Sequence, residues 1–465
     1  MGYVRVFVIC ILALSACKKK APGPVSIAVL NNLEGTVAPC GCTSKPLGGL
    51  DRLAGELARQ KPHGLLVSGA TLYGAANAPP EQEQRKAQSI AAILEKLQPL
   101  AVVLGARDTL ATKLPVLAPR PNDTRADNLV RTLGGLKVGI VGGGADPVAY
   151  SAAAIAVRAQ GAQFVIALLP PLDNARGFIT QLGRIDVAIG GAPEGSEALP
   201  QPKVVGETLW VQAGNKGRYL GLLRLHPQGE PWVFNDEGKV AKHSLSARIE
   251  RLQQELAMLA DGPAKAARTA QLAQLQKDLS AINAAPPKTS YVTWDTLEIS
   301  TQVAAAPWAS AALKDYNLSL CNIVSPAPCA DLGQRYAGTA ACRACHAGAY
   351  AVYEKTKHAQ AWATLLRDSK QCDVECVQCH TVGFNQRGGF CRLQDAEPYQ
   401  NVGCENCHGP ATTHAAHPQD KSTWDKEFVR KPTETTCRGC HNAEHSDKFD
   451  FTTYAPKILG PGHGR

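Results

Sequence analysis

The last third of the chain contains Val402-Gly403-Cys404-Glu405-Asn406-Cys407-His408, in which two cysteines lie three positions apart and a histidine follows the second. The same C-x-x-C-H pattern occurs in four places: Cys342, Cys345 and His346; Cys376, Cys379 and His380; Cys404, Cys407 and His408; Cys437, Cys440 and His441. With 16 cysteines and 12 histidines in 465 residues, far fewer than one such motif is expected by chance. The pattern is the attachment signature of c-type haem, where both thiols bind the porphyrin and the imidazole ligates the iron. The sequence therefore predicts four covalently bound haems c.

Zinc is the alternative occupant of these cysteines. Four C-x-x-C pairs would suffice for two Cys₄ zinc sites. A zinc ribbon, however, does not require a histidine after every second cysteine, and all four pairs have one. The motifs therefore favour haem over zinc.

The amino-acid composition narrows the set of residues that could serve as the second axial ligand of each iron. The chain has only two methionines, Met1 and Met258, and neither lies in the haem region, so His/Met ligation is excluded there. Five further histidines lie in this region: His358, His414, His417, His445 and His463. They permit bis-histidine ligation of all four irons, which favours electron transfer. An iron left without a second histidine would instead be open to a small substrate.

The N-terminus is typical of an export signal. Arg5 precedes an apolar stretch that is too short to span a bilayer, and Leu14-Ser-Ala-Cys17 resembles a bacterial lipobox. We expect residues 1–17 to form a lipoprotein signal peptide with Cys17 as the lipidated residue; a short uncleaved anchor is the alternative. Either reading puts the protein on the periplasmic side of a bacterial membrane. Lys18, where aspartate often directs retention in the inner membrane, favours the outer membrane.

Charge limits the classes of partner. The formal net charge is +9, but the basic residues do not cluster beyond Lys18-Lys19-Lys20, so nucleic-acid binding is not expected. Haem propionates would make the C-terminal region more acidic, which favours docking to basic redox partner proteins of the cell envelope. No later segment approaches 18 uninterrupted apolar residues, so membrane attachment is expected through lipid alone.

The haem region also resembles a known family. The run Tyr336-Ala-Gly-Thr-Ala-Ala-Cys342-Arg-Ala-Cys345-His346, followed by Thr356-Lys-His358-Ala, resembles the tetrahaem cytochrome c family, whose best-known member carries electrons from hydroxylamine oxidoreductase. Val402-Gly-Cys404-Glu-Asn-Cys407-His408-Gly-Pro with His414 is similar to it as well. The resemblance implies His358 and His414 as distal ligands. His463 is the third choice, whereas His417 and His445 are weaker candidates. One haem of that family can be five-coordinate.

The part of the chain before the motifs has an α/β pattern. Buried runs predict strands at Val25–Leu30, Leu65–Ser68, Ala101–Gly105, Val138–Val141, Phe164–Leu169 and Val187–Gly190. Helical periodicity lies between them at Leu50–Gln60 and Glu81–Leu97. Two further amphipathic segments near 246–283, broken at Asp261-Gly-Pro263, predict a helical hairpin. We therefore expect an α/β layered domain at 25–325, followed by a mostly α-helical, loop-rich haem domain at 336–465.

The first of these domains resembles the metallophosphoesterase domain of the 5′-nucleotidase family. The matching stretches include Asn32-Leu-Glu34-Gly35, Ser68-Gly-Ala70, Gly105-Ala-Arg107-Asp108 and Gly190-Gly-Ala192. The family has metal-binding Asp, His and Asn residues where this chain has Asn32, Glu34, Ala70, Ala106-Arg107 and Ala192. Dinuclear hydrolysis needs those ligands. The resemblance therefore implies a phosphoesterase fold whose activity is lost, and no catalytic residue is assigned.

The remaining cysteines suggest disulfides. Cys321 and Cys329 are eight residues apart, and Cys372 and Cys391 bracket the second motif. In an oxidising compartment each pair is predicted to form a disulfide, with free thiols as the alternative. Cys40 and Cys42 form a C-x-C pair that would bind metal, cycle between thiol and disulfide, or fix a loop.

Two functions remain open from the sequence. In the first, the protein is an electron carrier whose haems connect envelope redox partners. In the second, it is a reductase that acts on a small nitrogen or sulfur species at one five-coordinate haem.

Overall fold

The computed structural model describes most of the chain, and all structural statements below concern this part. It comprises residues 23–39, 43–74, 78–117, 127–196, 201–237, 239–259, 261–281, 287–323, 335–391, 397–442 and 445–459. The signal peptide with Cys17, the Cys40/Cys42 pair, Cys329 and His463 lie outside these ranges. Within them, no helix has the length and apolar character needed to cross a membrane.

Twelve strands are found in the described residues: β1 (Val25–Asn31), β2 (Gly64–Gly69), β3 (Ala101–Leu104), β4 (Asp127–Leu133), β5 (Leu136–Gly142), β6 (Phe164–Leu169), β7 (Val187–Gly190), β8 (Lys203–Val205), β9 (Thr208–Val211), β10 (Tyr219–His226), β11 (Trp232–Phe234) and β12 (Ser290–Glu298). The six strands predicted from buried runs are all present. Each is a near-continuous apolar segment, as strands covered on both faces require.

The α-helices of the first two thirds are α1 (Leu50–Gln60), α2 (Pro80–Leu97), α3 (Pro147–Ala159), α4 (Ala175–Thr180), α5 (Lys239–Met258), α6 (Pro263–Ala281) and α7 (Pro307–Ser319). Those of the haem region are α8 (Ala347–Tyr353), α9 (Ala361–Arg367), α10 (Val374–His380), α11 (Cys404–His408), α12 (Thr412–Ala416), α13 (Glu434–Arg438) and α14 (Phe451–Ile458). The predicted helices α1 and α2 and the predicted hairpin α5–α6 are confirmed.

The chain separates into two compact units. The larger one comprises Ser26–Arg131, Lys137–Arg224 and Trp294–Arg465, and so it holds most strands of both sheets and the haem region. The smaller one is built mainly of Leu225–Thr293. In the smaller unit, α5 and α6 pack on each other through a cluster that includes Ile249, Leu252 and Leu275. This packing buries the apolar stripe that predicted the hairpin.

Two six-stranded sheets form the α/β part of the chain. The first has the order β11-β12-β10-β1-β2-β3, with β1, β2 and β3 parallel, and α1, α2 and α7 cover its core. The second has the order β4-β5-β6-β7-β9-β8, and α3 and α4 cover it. The sheets face each other, and Ser68 Oγ on β2 donates to the carbonyl of Leu169 on β6 at 2.7 Å. This architecture confirms the predicted α/β layered fold.

The haem region has little conventional core. Its helices have five to eight residues, and its largest apolar cluster among described residues is formed by Trp362, Leu365, Val377 and Phe390. Short helices without an extensive apolar stripe need another source of apolar packing. The predicted mostly helical, loop-rich character of this region is confirmed.

Candidate haem-binding region

Each C-x-x-C-H motif lies on or directly beside a helical turn. The second motif lies at the end of α10, the third forms α11, and the fourth begins in α13. In the first motif, the N–H of His346 donates to the carbonyl of Cys342 at 2.9 Å, which is the helical i to i+4 bond. Residues i, i+3 and i+4 share one helix face, so both thiols and the imidazole of a motif are directed to one side. This placement is the one that a porphyrin attached at both edges requires.

The motif cysteines are chemically distinct from the other cysteines. Cys321, Cys372 and Cys391 are in disulfides, whereas none of the eight motif cysteines is. Burial, assisted by the nearby Cys437, raises the pKa of the Cys407 thiol to about 11. The folded chain therefore keeps the motif thiols out of the disulfides that its other described cysteines form.

Contacts between these thiols group the motifs into pairs. The thiols of Cys342 and Cys404 lie next to each other and bring the first motif beside the third. Those of Cys379 and Cys440 are neighbours in the same way and bring the second motif beside the fourth. The attachment points are thus side by side across the region, although they are far apart in sequence.

Three motif histidines have a fixed ring orientation. In His380, Nδ1 lies 2.7 Å from the carbonyl oxygen of Ala361. In His408, Nδ1 lies 2.8 Å from the carbonyl oxygen of Val429. In His441, Nδ1 lies 3.0 Å from Ser446 Oγ. A carbonyl only accepts, so Nδ1 of His380 and of His408 carries the proton and Nε2 is left as the ligating atom, as in metal-bound histidines generally. The Ser446 hydroxyl orients the His441 ring without fixing its tautomer.

Two of the predicted distal histidines lie next to motif histidines. The ring centroids of His346 and His414 are 6.1 Å apart, and those of His358 and His441 are also 6.1 Å apart. Burial, with the nearby His441, lowers the pKa of His358, and burial, with His346 and His408, lowers the pKa of His414. Both rings are therefore neutral at neutral pH, which is the form that binds a metal.

The spacing of these pairs fits an iron between them. Two metal–imidazole bonds of about 2 Å each, with the ring radius added on both sides, give about 6 Å between ring centroids. His414 Nδ1 is also buried without a hydrogen-bond partner in the described part of the chain. The first and fourth motifs would thus hold a haem iron with His414 and His358 as second ligands.

The other candidate histidines have different surroundings. His417 is exposed, and its carbonyl accepts the Trp424 indole N–H at 3.0 Å. His445 is half-buried and its N–H donates to Asn442 Oδ1. No histidine ring contacts that of His380 among the described residues.

Aromatic side chains that the sequence did not single out enclose His414. The Trp424 ring lies edge-on at 4.5 Å between centroids, and the Phe428 ring stacks at 4.7 Å. Arg335 holds the segment between them, because its guanidinium donates two hydrogen bonds to Asp425 at 2.9 and 3.0 Å. This shell fixes the ring that faces His346.

Glu405, inside the third motif, anchors the start of the haem region. Its carboxylate accepts the N–H groups of Ala337, Gly338 and Ala411 at 2.8–2.9 Å, and the residue is 3% exposed. Burial raises the pKa of Glu405, while these three N–H groups oppose the rise.

The predicted disulfides are wrong where the structure tests them. Cys321, just after α7, is bonded to Cys372, just before α10, with a Cα–Cα distance of 5.0 Å. Cys321 is therefore not paired with Cys329, and Cys372 is not paired with Cys391, which is in a different disulfide. The pairing follows from the packing of α7 beside the segment that leads into α10, not from spacing along the chain.

Side chains with local partners occupy the positions where the resemblance to the 5′-nucleotidase family leads us to expect metal ligands. Asn32 Nδ2 donates to the Ala192 carbonyl at 3.3 Å, and Glu34 Oε1 accepts the Gly195 N–H at 3.0 Å. A small cleft at this edge of the sheets is lined by Asn31, Asn32, Gly190, Ala192, Ser196, Gln212, Gly214 and Asn215. Within the described residues, no group of three or more His, Cys, Asp or Glu side chains would hold a metal ion.

Among solved structures, the chain is similar to several phosphoesterases. The 5′-nucleotidase precursor of Thermus thermophilus is 16% identical, with a TM-score of 0.41, over 65% of this chain and 60% of that one. The calcineurin-like phosphoesterase YfkN of Bacillus subtilis is 12% identical, with a TM-score of 0.40, over 64% of this chain and 98% of that one. The chain thus spans about three fifths of the length of the nucleotidase it matches.

The haem region has its own relatives. The family described as "Cytochrome c554 and c-prime" matches residues 341–409, which contain the first three motifs. Cytochrome c-554 of Nitrosomonas europaea is 28% identical over an alignment of 156 residues that covers 26% of this chain and 66% of that protein. The C-terminal region is therefore similar to the cytochrome c554 family.

Proposed function

We propose that the protein is an exported tetrahaem c-type cytochrome that transfers electrons between redox partners of the cell envelope. The carrying observation is the pair of histidine rings at 6.1 Å in both the first and the fourth motif, which suits iron with two imidazole ligands. Haem c supplies a one-electron Fe(III)/Fe(II) couple when bound. His358 and His414 would close the second axial position, so that electrons pass without a substrate at the iron.

The arrangement of the motifs supports transfer within the protein. The first and third motifs touch through Cys342 and Cys404, and the second and fourth through Cys379 and Cys440. The Nδ1 hydrogen bonds of His380, His408 and His441 hold their rings in one orientation. A carrier needs this rigidity, because fixed ligands minimise rearrangement on each change of oxidation state.

The rest of the proposal follows the sequence. Export by the signal peptide and lipidation at Cys17 would place the protein on the periplasmic side of the outer membrane, tethered by lipid. The α/β domain would retain the phosphoesterase scaffold without hydrolytic activity. Asn32 and Glu34 bond to neighbouring backbone groups where the family has metal ligands, which supports this loss.

One observation favours a second candidate function. His380 has no histidine ring against its own among the described residues, unlike His346 and His441. If the iron of the second motif is five-coordinate, a small nitrogen or sulfur species would bind there and be reduced. His463, the third predicted distal ligand, would remove this possibility if it served the second motif.

Spectroscopy of the purified full-length protein decides between the candidates. The pyridine haemochrome assay should give four haems c per chain, and no haem would contradict both candidates. The dithionite-reduced spectrum is then recorded before and after addition of carbon monoxide. An unchanged Soret band supports the electron carrier, whereas a shift of about one quarter of its intensity supports the reductase with one open iron.

A further inference from the structure

Helix α2 of the α/β domain directly contacts the beginning of α10, the helix that carries the second motif. Gln82 Nε2 donates to Asp373 Oδ1 at 2.7 Å, and Gln82 Oε1 accepts the Val374 N–H at 3.1 Å. Asp373 is itself the N-cap of α10 and accepts the Glu375 N–H at 3.0 Å. A side chain of the α/β domain therefore completes the cap of a haem-attachment helix.

A buried cation lies at the same contact. Lys86 Nζ on α2 is 2.8 Å from Glu375 Oε2 and 3.3 Å from Glu83 Oε1. Lys86 is 5% exposed and Glu83 is 8% exposed, and Glu375 directly precedes the attachment residue Cys376. The ammonium group thus pairs with a carboxylate one residue away from a thiol that binds haem.

The charge of Lys86 is maintained by its partners. Burial opposes ionisation, but the carboxylates of Glu375 and Glu83 outweigh burial and raise the pKa of Lys86. Lys86 is therefore positively charged at neutral pH. A buried charge is screened by solvent much less than a surface charge, so it acts on groups several ångströms away.

The contact is also fixed mechanically. The Cys321–Cys372 disulfide joins the end of α7 to the residue before Asp373, and Asn317 Nδ2 on α7 donates to the Asp368 carbonyl at 3.3 Å. The Tyr316 ring on α7 is 5% exposed and faces the same carboxylates. Lys86 is thereby held at a constant distance from α10, which an electrostatic effect of constant size requires.

We propose that Lys86 of the α/β domain raises the reduction potential of the haem attached at Cys376 and Cys379. The proposal rests on the proposed function, since it concerns the potential of a haem within that electron carrier. Reduction adds one electron, supplied by a redox partner, to Fe(III) and gives Fe(II), and no bond forms or breaks. A nearby positive charge stabilises the state with the extra electron, whereas the Glu375 carboxylate disfavours it. The former phosphoesterase scaffold would thus serve as part of the electrostatic environment of one haem.

Potentiometric titration of the full-length protein, followed by visible and low-temperature EPR spectra, tests this proposal. In Lys86→Met, one of the four potentials should fall while the other three keep their values. In Glu375→Gln, the same potential should rise. Lys96→Met is the matched control, because Lys96 is on the same helix but exposed, with Nζ 4.4 Å from the Trp308 ring centroid. This control should leave all four potentials unchanged.

Opposite shifts separate an electrostatic role from a mechanical one. A contact that only supported α10 would move the potential in the same direction when either partner is removed. Lys86→Met leaves two carboxylates without their cation, so the variant is at risk of misfolding. Glu375→Gln, whose side chain is 33% exposed, then decides alone. Unchanged potentials in a folded Glu375→Gln protein with four haems would overturn the inference about Lys86 and leave the proposed function intact. Absence of haem from the protein would overturn the proposed function.

Discussion

Arg335 and Asp425 form a two-point contact that ties the start of the haem region to the aromatic shell of His414. Arg335 Nε donates to Asp425 Oδ2 at 3.0 Å, and Nη2 donates to Oδ1 at 2.9 Å. Asp425 lies between Trp424 and Phe428, which both contact the His414 ring. The position of His414, a proposed haem ligand, therefore depends on one ion pair between residues that are 90 positions apart in the sequence.

The acid stability of the haem region should depend on Asp425. Burial opposes ionisation of this carboxyl, but the Glu427 N–H and Arg335 outweigh it and lower the pKa of Asp425. A lowered pKa in the folded state means stabilisation that is present above the unfolded pKa of about 3.9 and is lost as the pH falls through the folded value. Asp425→Asn should therefore cost about 1–2 kcal/mol of unfolding free energy at pH 7 and less at pH 3, which is already below the unfolded pKa of the carboxyl.

Denaturant unfolding at both pH values measures this difference. Glu427→Gln is the control, since Glu427 also pairs with Arg335, at 3.2 Å, but its side chain is 67% exposed. Its effect should stay within about 0.5 kcal/mol. An equal loss at pH 3 and pH 7 for Asp425→Asn would show that the carboxylate charge is not responsible.

Removal of a second axial ligand should open an iron. His358→Ala takes away the ring that faces His441 at 6.1 Å, so the reduced protein should bind one more equivalent of carbon monoxide than the wild type. His417→Ala is the matched control because this residue is exposed. It should bind the same amount as the wild type. If His358→Ala bound no additional carbon monoxide, His358 would not be a ligand.

The disulfide between the α/β domain and the haem region should contribute strongly to stability. Cys321 and Cys372 are separated by 51 residues. Closing such a loop lowers the entropy of the unfolded chain, which stabilises the folded state by about 4 kcal/mol at 25 °C. The double variant Cys321→Ser/Cys372→Ser should lower the denaturation midpoint accordingly without changing the haem content. Single variants would leave one reactive thiol and are less suitable. A haem content below that of the wild type would indicate that the bridge is needed for maturation instead.

The parts of the fold that the sequence predicted are those that depend on neighbouring residues. Buried strands such as β1 and β6 are continuous apolar runs, and each haem-attachment motif must be contiguous because one porphyrin reaches only adjacent turns. The pairing of Cys321 was missed for the opposite reason, since spacing along the chain does not show which helix packs beside which segment. Polar residues of α2 such as Gln82 and Lys86 have the appearance of a solvated helix face. Only the packing of α2 against α10 identifies them as buried contacts to a haem motif.

The carboxylate inside the third motif should prove necessary for the stability of the haem region. Glu405 accepts three backbone N–H groups in a buried position, and its removal would leave these donors without partners. Glu405→Ala should cost about 2–4 kcal/mol of unfolding free energy and should lower the yield of fully loaded protein. Gln378→Ala is the matched control, because Gln378 is a variable residue of the second motif and is exposed. Unfolding curves and haem-to-protein ratios of both variants measure the effect. Equal stability of the two variants would mean that water replaces the carboxylate, and the anchoring role of Glu405 would have to be abandoned.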